Sequence, residues 1–254
     1  MQEGSVVADD HPGRHSAART AVVWDALRGA AAARVRQTGH EQLDIVDAGG
    51  GTGGFAVPLA CLGHRVTVVD PSPDSLAAAQ RRAAENSVTL VAVQGDVTDL
   101  QAIVGEASAD LVLCHSVLEY VDDPAAAMAT IARVMRPGAV VSVLAAGALA
   151  AAIHRALAGR FGDARAILTG AGTAVDLSAP PRRFTMSTLT ALIEKAGLRP
   201  GAAHGIKVFA DLVPSALADA EPGAAEALLA LEQAAAEHPA LRDIATQLHV
   251  LGYR

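Results

Sequence analysis

The chain has 254 residues, 51% of them hydrophobic but only 3% aromatic, with a formal net charge of −7. That length supports a substantial core of Leu, Val, Ile and close-packed Ala in one or two domains. The acidic balance disfavours a broad electrostatic grip on nucleic acid, which needs Lys and Arg clustered against phosphates, and leaves room for a local basic patch.

Residues 1–17 are rich in Gly, His, Asp and Ser and read as a frayed lead-in or a lid. A helix is expected over 18–36, with Ala21, Trp24, Leu27 and Val35 on one face. Strand and helix patterns then alternate: strands over 43–48, 65–70, 89–94, 111–115 and 139–144, and helices over 57–62, 73–85 and 123–135. Such alternation predicts a parallel sheet with helices on both faces, whose ligands bind beyond the carboxyl ends of the strands. From 147 to 181 the alternation stops, and two short helical patterns (147–159 and 162–170) lead into a Gly/Ser/Pro-rich loop. A helix over 187–196, a strand over 205–210, a helix over 222–237 and a strand over 247–253 complete the core.

Cys61, in an expected helix, and Cys114, in an expected strand, form no CxxC pair. They point to no metal framework and read as small apolar residues in a reducing compartment. The polar start lacks a basic run followed by an apolar one, and the apolar stretch 139–152 is too short to span a bilayer. A cytoplasmic protein without membrane contact is therefore expected.

The informative residues fall just after the strands. Asp47-Ala48-Gly49-Gly50-Gly51-Thr52-Gly53-Gly54 follows a strand and opens a helix, where glycines permit a tight turn and close approach of backbone to ligand. The glycines alone fit both the dinucleotide pattern G-x-G-x-x-G and the pattern D-x-G-x-G-x-G. The carboxylates decide between them. Asp47 would repel a pyrophosphate but attract an ammonium. Asp70 can accept two ribose hydroxyls, and Asp96 an adenine amino group while Val97 covers the ring. Three carboxylates after three successive strands, with no base in the loop, favour a cationic adenosyl ligand, S-adenosylmethionine.

On these segments, and on Met135-Arg136-Pro137-Gly138, the chain resembles the class I S-adenosylmethionine-dependent methyltransferases. Cys114-His115-Ser116-Val117-Leu118-Glu119-Tyr120-Val121-Asp122-Asp123-Pro124 further resembles the "HAVLEW-DP" segment of the tRNA 5-carboxymethoxyuridine methyltransferases. Asp47–Gly51 matches their "DAGGG", Gly205-Ile206-Lys207-Val208-Phe209 is similar to their "GVRVF", and Leu228-Leu229-Ala230-Leu231-Glu232 to their "LLELE". Arg19 and Trp24 match an N-terminal Arg and Trp at the same spacing.

The resemblance implies one Rossmann-like methyltransferase domain, a doubly wound seven-stranded α/β sheet with its last strand antiparallel. Its parts would be an N-terminal helix or lid (1–42), a cofactor core (43–146), a helical insertion over the active site (147–184) and the rest of the core (185–254). It implies cofactor binding by Arg19 (to the carboxylate of S-adenosylmethionine), Asp47, Gly49, Gly50, Gly51, Gly53, Asp70, Asp96 and Val97. His115 would border both cofactor and transfer site, as the candidate catalytic residue. Arg182, Arg183 and Lys207 are candidates for orienting an acceptor carboxylate.

The substrate half departs from that family. Ala145-Ala146-Gly147 stands where aromatic and amide residues are expected, Gly172-Thr173-Ala174-Val175-Asp176 where a Lys-rich run is, and Ala210 where a His is. Three readings follow: methyl esterification of the tRNA nucleoside, methylation of a small metabolite on O or N, and a non-catalytic adenosyl-binding module. A carboxylate acceptor needs no base, whereas a hydroxyl or amine calls for one, with His115 and His154 as candidates.

Overall fold

In the computed structural model, residues 14–169, 181–218 and 223–254 are described. A long helix α1 (Arg14–Thr38) precedes the alternating core of β1 (Asp44–Ala48), α2 (Ala56–Cys61), β2 (Arg65–Asp70), α3 (Pro73–Glu85), β3 (Val91–Gln94), α4 (Leu100–Val104), β4 (Ala109–His115), α5 (Pro124–Val134) and β5 (Met135–Ala146). The helical pair α6 (Ala148–Leu157) and α7 (Phe161–Thr169) interrupts the alternation. The core closes with α8 (Met186–Lys195), β6 (Arg199–Ile206), α9 (Ser215–Ala218), α10 (Ala224–Ala236) and β7 (Gln247–Tyr253). None of the described helices is long and apolar enough to cross a membrane.

The seven strands run in the order β3-β2-β1-β4-β5-β7-β6, and β7 is antiparallel to both its neighbours. This is the doubly wound Rossmann-like sheet with an antiparallel last strand. Strand order reverses between β1 and β4, where Ala48 pairs with Cys114, so a crevice opens beyond their carboxyl ends. Alternate residues of each strand feed opposite layers. Val46, Val112 and Val141 join Met128, Ile131, Leu189 and Ile193 on one face. Ile45, Leu111 and Leu113 join Leu27, Leu59 and Leu76 on the other.

Two expectations are corrected. The strand expected over 205–210 lies at Arg199–Ile206. Lys207 turns the chain with φ +59°, and the next three N–H groups leave the ladder for a buried carboxylate. Val208 donates to Glu232 Oε2 (3.0 Å), and Phe209 and Ala210 donate to Oε1 (2.7 and 2.6 Å). Cys61 is no packed apolar residue: it ends the short α2 and is exposed, while Cys114 is buried. The stretch 97–104, for which no element was expected, is helical, because Asp96 and Asp99 form a reciprocal capping box that starts a 3₁₀ turn running into α4. The helix expected from 18 already begins at Arg14. The 172–176 segment lies outside the described residues.

Candidate active site

The loop after β1 continues the strand by one bond, Gly49 N–H to the Val69 carbonyl (2.7 Å), and then turns so that Gly53 N–H reaches the Gly50 carbonyl (3.0 Å). Gly49 has φ +69°, and a Cβ there would stand 2.3 Å from Val117 Cγ2. At Gly50 the constraint is space: a Cβ would meet the Asp47 carboxyl at 2.6 Å. A side chain at either position would have to displace the residues that shape the crevice. Gly51 and Gly53 also hold positive φ, and the Gly51 amide donates to Asp70 Oδ2 (2.9 Å). Asp70 Oδ1 accepts from Ser72 N–H (2.9 Å), so one carboxylate ties the glycine loop to the turn after β2.

Asp47 is buried. Burial, with Asp70 adding like charge, pushes its carboxyl up to about 7. Asp96 sits at the end of the β3 connection, its Oδ1 accepting from Thr98 N–H (3.1 Å), while Val97 is buried in the core. A cleft of about 270 Å³ opens beside the loop, lined by Asp47, Gly49, Gly50, Gly54, Phe55, His115, Ser116, Leu144 and Gln247, with Thr20 and Val23 of α1 along one side. The expected residues Asp47, Gly49, Gly50 and His115 thus meet at one cleft. Asp70, Asp96 and Val97 lie at the ends of the neighbouring strands, outside its lining. The side chain of Arg19 lies outside the described residues.

His115 ends β4 with its ring edge-on to Phe55 (4.7 Å between centroids), and Phe55 packs on Trp24 of α1 (4.9 Å). Its Nε2 contacts Ser142 Oγ at 2.8 Å, whereas its Nδ1 is shut off from solvent without a partner among the described residues. Burial lowers its pKa to about 3, so the ring is neutral at physiological pH. The other candidate base, His154, rests its Nε2 3.3 Å from Thr246 Oγ1.

None of the three expected substrate cations lines the cleft. Arg182 is bound to the backbone carbonyls of Val121 and Asp122. Arg183 Nη1 lies 3.4 Å from the Gly147 carbonyl, and Lys207 occupies the turn after β6. Sequence reasoning also missed Glu119, a buried carboxylate whose Oε1 accepts Ala146 N–H (2.8 Å) and whose Oε2 has no hydrogen-bond partner among the described residues. Its position inside the HSVLEYV run was the available signal.

A family model described as "Methyltransferase domain" matches residues 46–143. The chain is 30% identical over 195 residues to a tRNA 5-carboxymethoxyuridine methyltransferase of Escherichia coli O157:H7, covering 76% of this chain and 72% of that one. This chain belongs to the class I S-adenosylmethionine-dependent methyltransferases. The methyltransferase is also 40% identical over 99 residues to a ubiquinone biosynthesis O-methyltransferase of Methylocella silvestris, covering 39% of this chain and 38% of that one. Its fold is shared with the magnesium protoporphyrin IX methyltransferase of Synechocystis PCC 6803 with bound SAH, at TM-score 0.58 and 16% identity over 100% of this chain and 90% of that one. S-adenosylmethionine is the methyltransferase's cofactor. The residues present fit it, since buried Asp47 offers a carboxylate to an ammonium and Gly49 and Gly50, without side chains, let the backbone stand at the cleft.

Proposed function

We propose that this methyltransferase acts on a hydroxyl or amine of a small acceptor, which enters beside His115. The observation that carries this is the state of His115: neutral, at the cleft, with an Nδ1 that no group among the described residues engages. A bare imidazole nitrogen suits an acceptor that must lose a proton, and a carboxylate acceptor has none to lose. A tRNA acceptor would call for a basic surface around Arg182, Arg183, Arg155 and Arg160, and of these Arg182 is held on backbone carbonyls and Arg160 is paired with Asp163.

When bound, S-adenosylmethionine supplies an electrophilic methyl group and leaves as S-adenosylhomocysteine. In this reading Asp47 and Arg19 hold the amino acid part. Asp70 takes the ribose hydroxyls, Asp96 takes the adenine amino group and Val97 borders the ring. Gly49, Gly50, Gly51 and Gly53 let the backbone approach. His115 orients the acceptor and takes its proton, and alignment of nucleophile, methyl carbon and sulfur provides the main rate gain. A second reading, esterification of tRNA 5-carboxymethoxyuridine, is favoured by the Escherichia coli O157:H7 relative and by a strain K12 enzyme of the same description, 32% identical over 56% of this chain and 54% of that one. The deciding experiment supplies labelled S-adenosylmethionine with two acceptor pools: a small-molecule extract, and tRNA bearing unesterified 5-carboxymethoxyuridine. Label in the extract alone is the expected result; label in the tRNA establishes the second reading instead.

Asp47 makes cofactor binding pH-dependent. Its folded pKa, about 7, lies above the ordinary 3.8. The folded chain therefore keeps a proton that the unfolded chain has already lost. The stability this gives is complete below pH 3.8 and disappears as pH rises through 7. A cofactor ammonium beside Asp47 favours the ionised form and expels that proton. Affinity for S-adenosylhomocysteine should rise up to about tenfold per unit below pH 7 and level off above it. Calorimetry in two buffers of different ionisation enthalpy should show close to one proton released at pH 6. Asp47→Asn should abolish the release, and an unchanged release would remove Asp47 from the role.

A further inference from the structure

We propose that His115, Ser142, His249 and His204 form one proton conduit across the sheet, joining the cofactor-side cleft to a second cleft at Glu237. The four residues stand on the neighbouring strands β4, β5, β7 and β6, and their side chains share one face with Leu113, Leu144 and Leu251 beneath α1. His115 Nε2 lies 2.8 Å from Ser142 Oγ, and Ser142 Oγ 2.8 Å from His249 Nε2. His249 Nδ1 lies 3.0 Å from His204 Nδ1, the two rings stacking at 5.2 Å. His204 Nε2 then faces Glu237 Oε1 at 3.8 Å. His204 and Glu237 line a surface cleft of about 400 Å³ between α1, β6 and α10, with Asp25 in its wall; Arg242 is the other charge near His204.

A buried polar chain in an apolar layer is costly unless every member is satisfied. Ser142 and His249 are fully buried, and the chain ends on a buried His115 Nδ1 that has no partner among the described residues at one end and on a carboxylate at the surface at the other. A purely structural network has no need of that arrangement.

Burial lowers the pKa of all three imidazoles, so each carries one N–H and one bare nitrogen. Two proton arrangements satisfy every contact. In one, His115 Nε2–H donates to Ser142, Ser142 to His249 Nε2, His249 Nδ1–H to His204 Nδ1, and His204 Nε2–H points at Glu237. His115 Nδ1 is then bare. The other reverses every donor and leaves the bare nitrogen of His204 against the Glu237 carboxylate. A third, with Ser142 accepting from both rings, strands its hydroxyl hydrogen in the core. Glu237 therefore selects the first, which presents His115 as a base.

Turnover is the passage from the first arrangement to the second, and here the inference rests on the proposed reading of a proton-releasing acceptor. The acceptor's X–H bond breaks as its bond to the methyl carbon forms, and the S–C electron pair returns to sulfur. The proton joins His115 Nδ1, one proton shifts across each contact, and His204 Nε2 releases one to Glu237 or solvent. The same shifts in reverse, taking up one proton at Glu237 and releasing one from His115 Nδ1 into the emptied cleft, restore the starting state. No charge resides in the core before or after.

The test needs no acceptor. In the whole protein with ¹⁵N-labelled histidine, long-range ¹H–¹⁵N spectra at neutral pH, assigned with His115→Gln, should show His115 Nδ1 without a proton. The Glu237 side chain is 81% exposed, so Glu237→Leu leaves the core packing alone. It should move His115 toward the Nδ1–H tautomer, and Ser142→Ala should erase that response. An unchanged His115 tautomer in Glu237→Leu, or an equal shift once Ser142 is gone, overturns the conduit. Label found in tRNA would overturn the acceptor reading and leave this result standing.

Discussion

Asp70→Ala is expected to cost at least about 100-fold in affinity for S-adenosylhomocysteine, read by calorimetry. The carboxylate ends β2 with both oxygens in use: Oδ2 orders the glycine loop through Gly51 N–H, and Oδ1 closes the turn through Ser72 N–H. Each oxygen has a further lone pair for a ribose hydroxyl. A charge-assisted hydrogen bond contributes about 1.5–3 kcal/mol net, so losing two removes about 3–6 kcal/mol of binding. Alanine also strands two backbone amides, loosening the loop that presents Gly49 and Gly50. Asp70→Asn separates the effects, because one amide oxygen can still accept from the loop while the pair of acceptors facing the ribose is gone. Asn should recover part of the stability lost in Ala and little of the affinity. Affinity within about threefold of the parent in the Ala variant would remove Asp70 from the ribose.

The legible part of this molecule is the part whose signals are local. Asp47, the glycines after it and the helix that follows sit within ten residues, and the buried strands announce themselves as apolar runs between turns. The same locality placed β7 at its observed bounds. The misreadings share the opposite property. Val208 and Phe209 look like strand continuation, and only the carboxylate of Glu232, more than twenty residues away, draws their N–H groups off the ladder. Helix α4 was hidden because Asp96 was assigned to the adenine amino group, and its capping box with Asp99 shows only in the fold. Arg182 was offered to a substrate because sequence does not show that the carbonyls of Val121 and Asp122 are in reach. Ser142, His204 and His249 carry no motif at all. They meet because β4, β5, β7 and β6 are neighbours in that order, and strand order is a product of the whole fold.

Asp110→Ala is expected to destabilise the fold by about 3–5 kcal/mol, the cost of breaking a buried ion pair from one side. Asp110 is the second residue of β4, at the opposite end of that strand from His115. Its Oδ1 accepts from Arg34 Nε (3.1 Å) and Nη2 (3.0 Å), and its Oδ2 from Arg136 Nη1 (2.5 Å) and Asp44 N–H (3.1 Å). One carboxylate thus fastens α1, β1 and β5 to β4. Arg34 is buried with it, its side chain only 7% exposed, and would keep its charge in an apolar setting once the partner is gone. Arg136 retains Asp44 (2.8 Å) and its own exposure, so Arg136→Gln should cost far less. Urea unfolding reads the difference as a fall in midpoint at unchanged slope. Below the unfolding range the Ala variant should bind S-adenosylhomocysteine as the parent does, because the crevice lies at the carboxyl ends of the strands. A lost affinity with intact stability would mean that the base of the sheet and the cofactor loop are mechanically coupled. In that case the long α1, anchored by Arg34 at one end and lining the cleft through Thr20 and Val23 at the other, is the element that joins them.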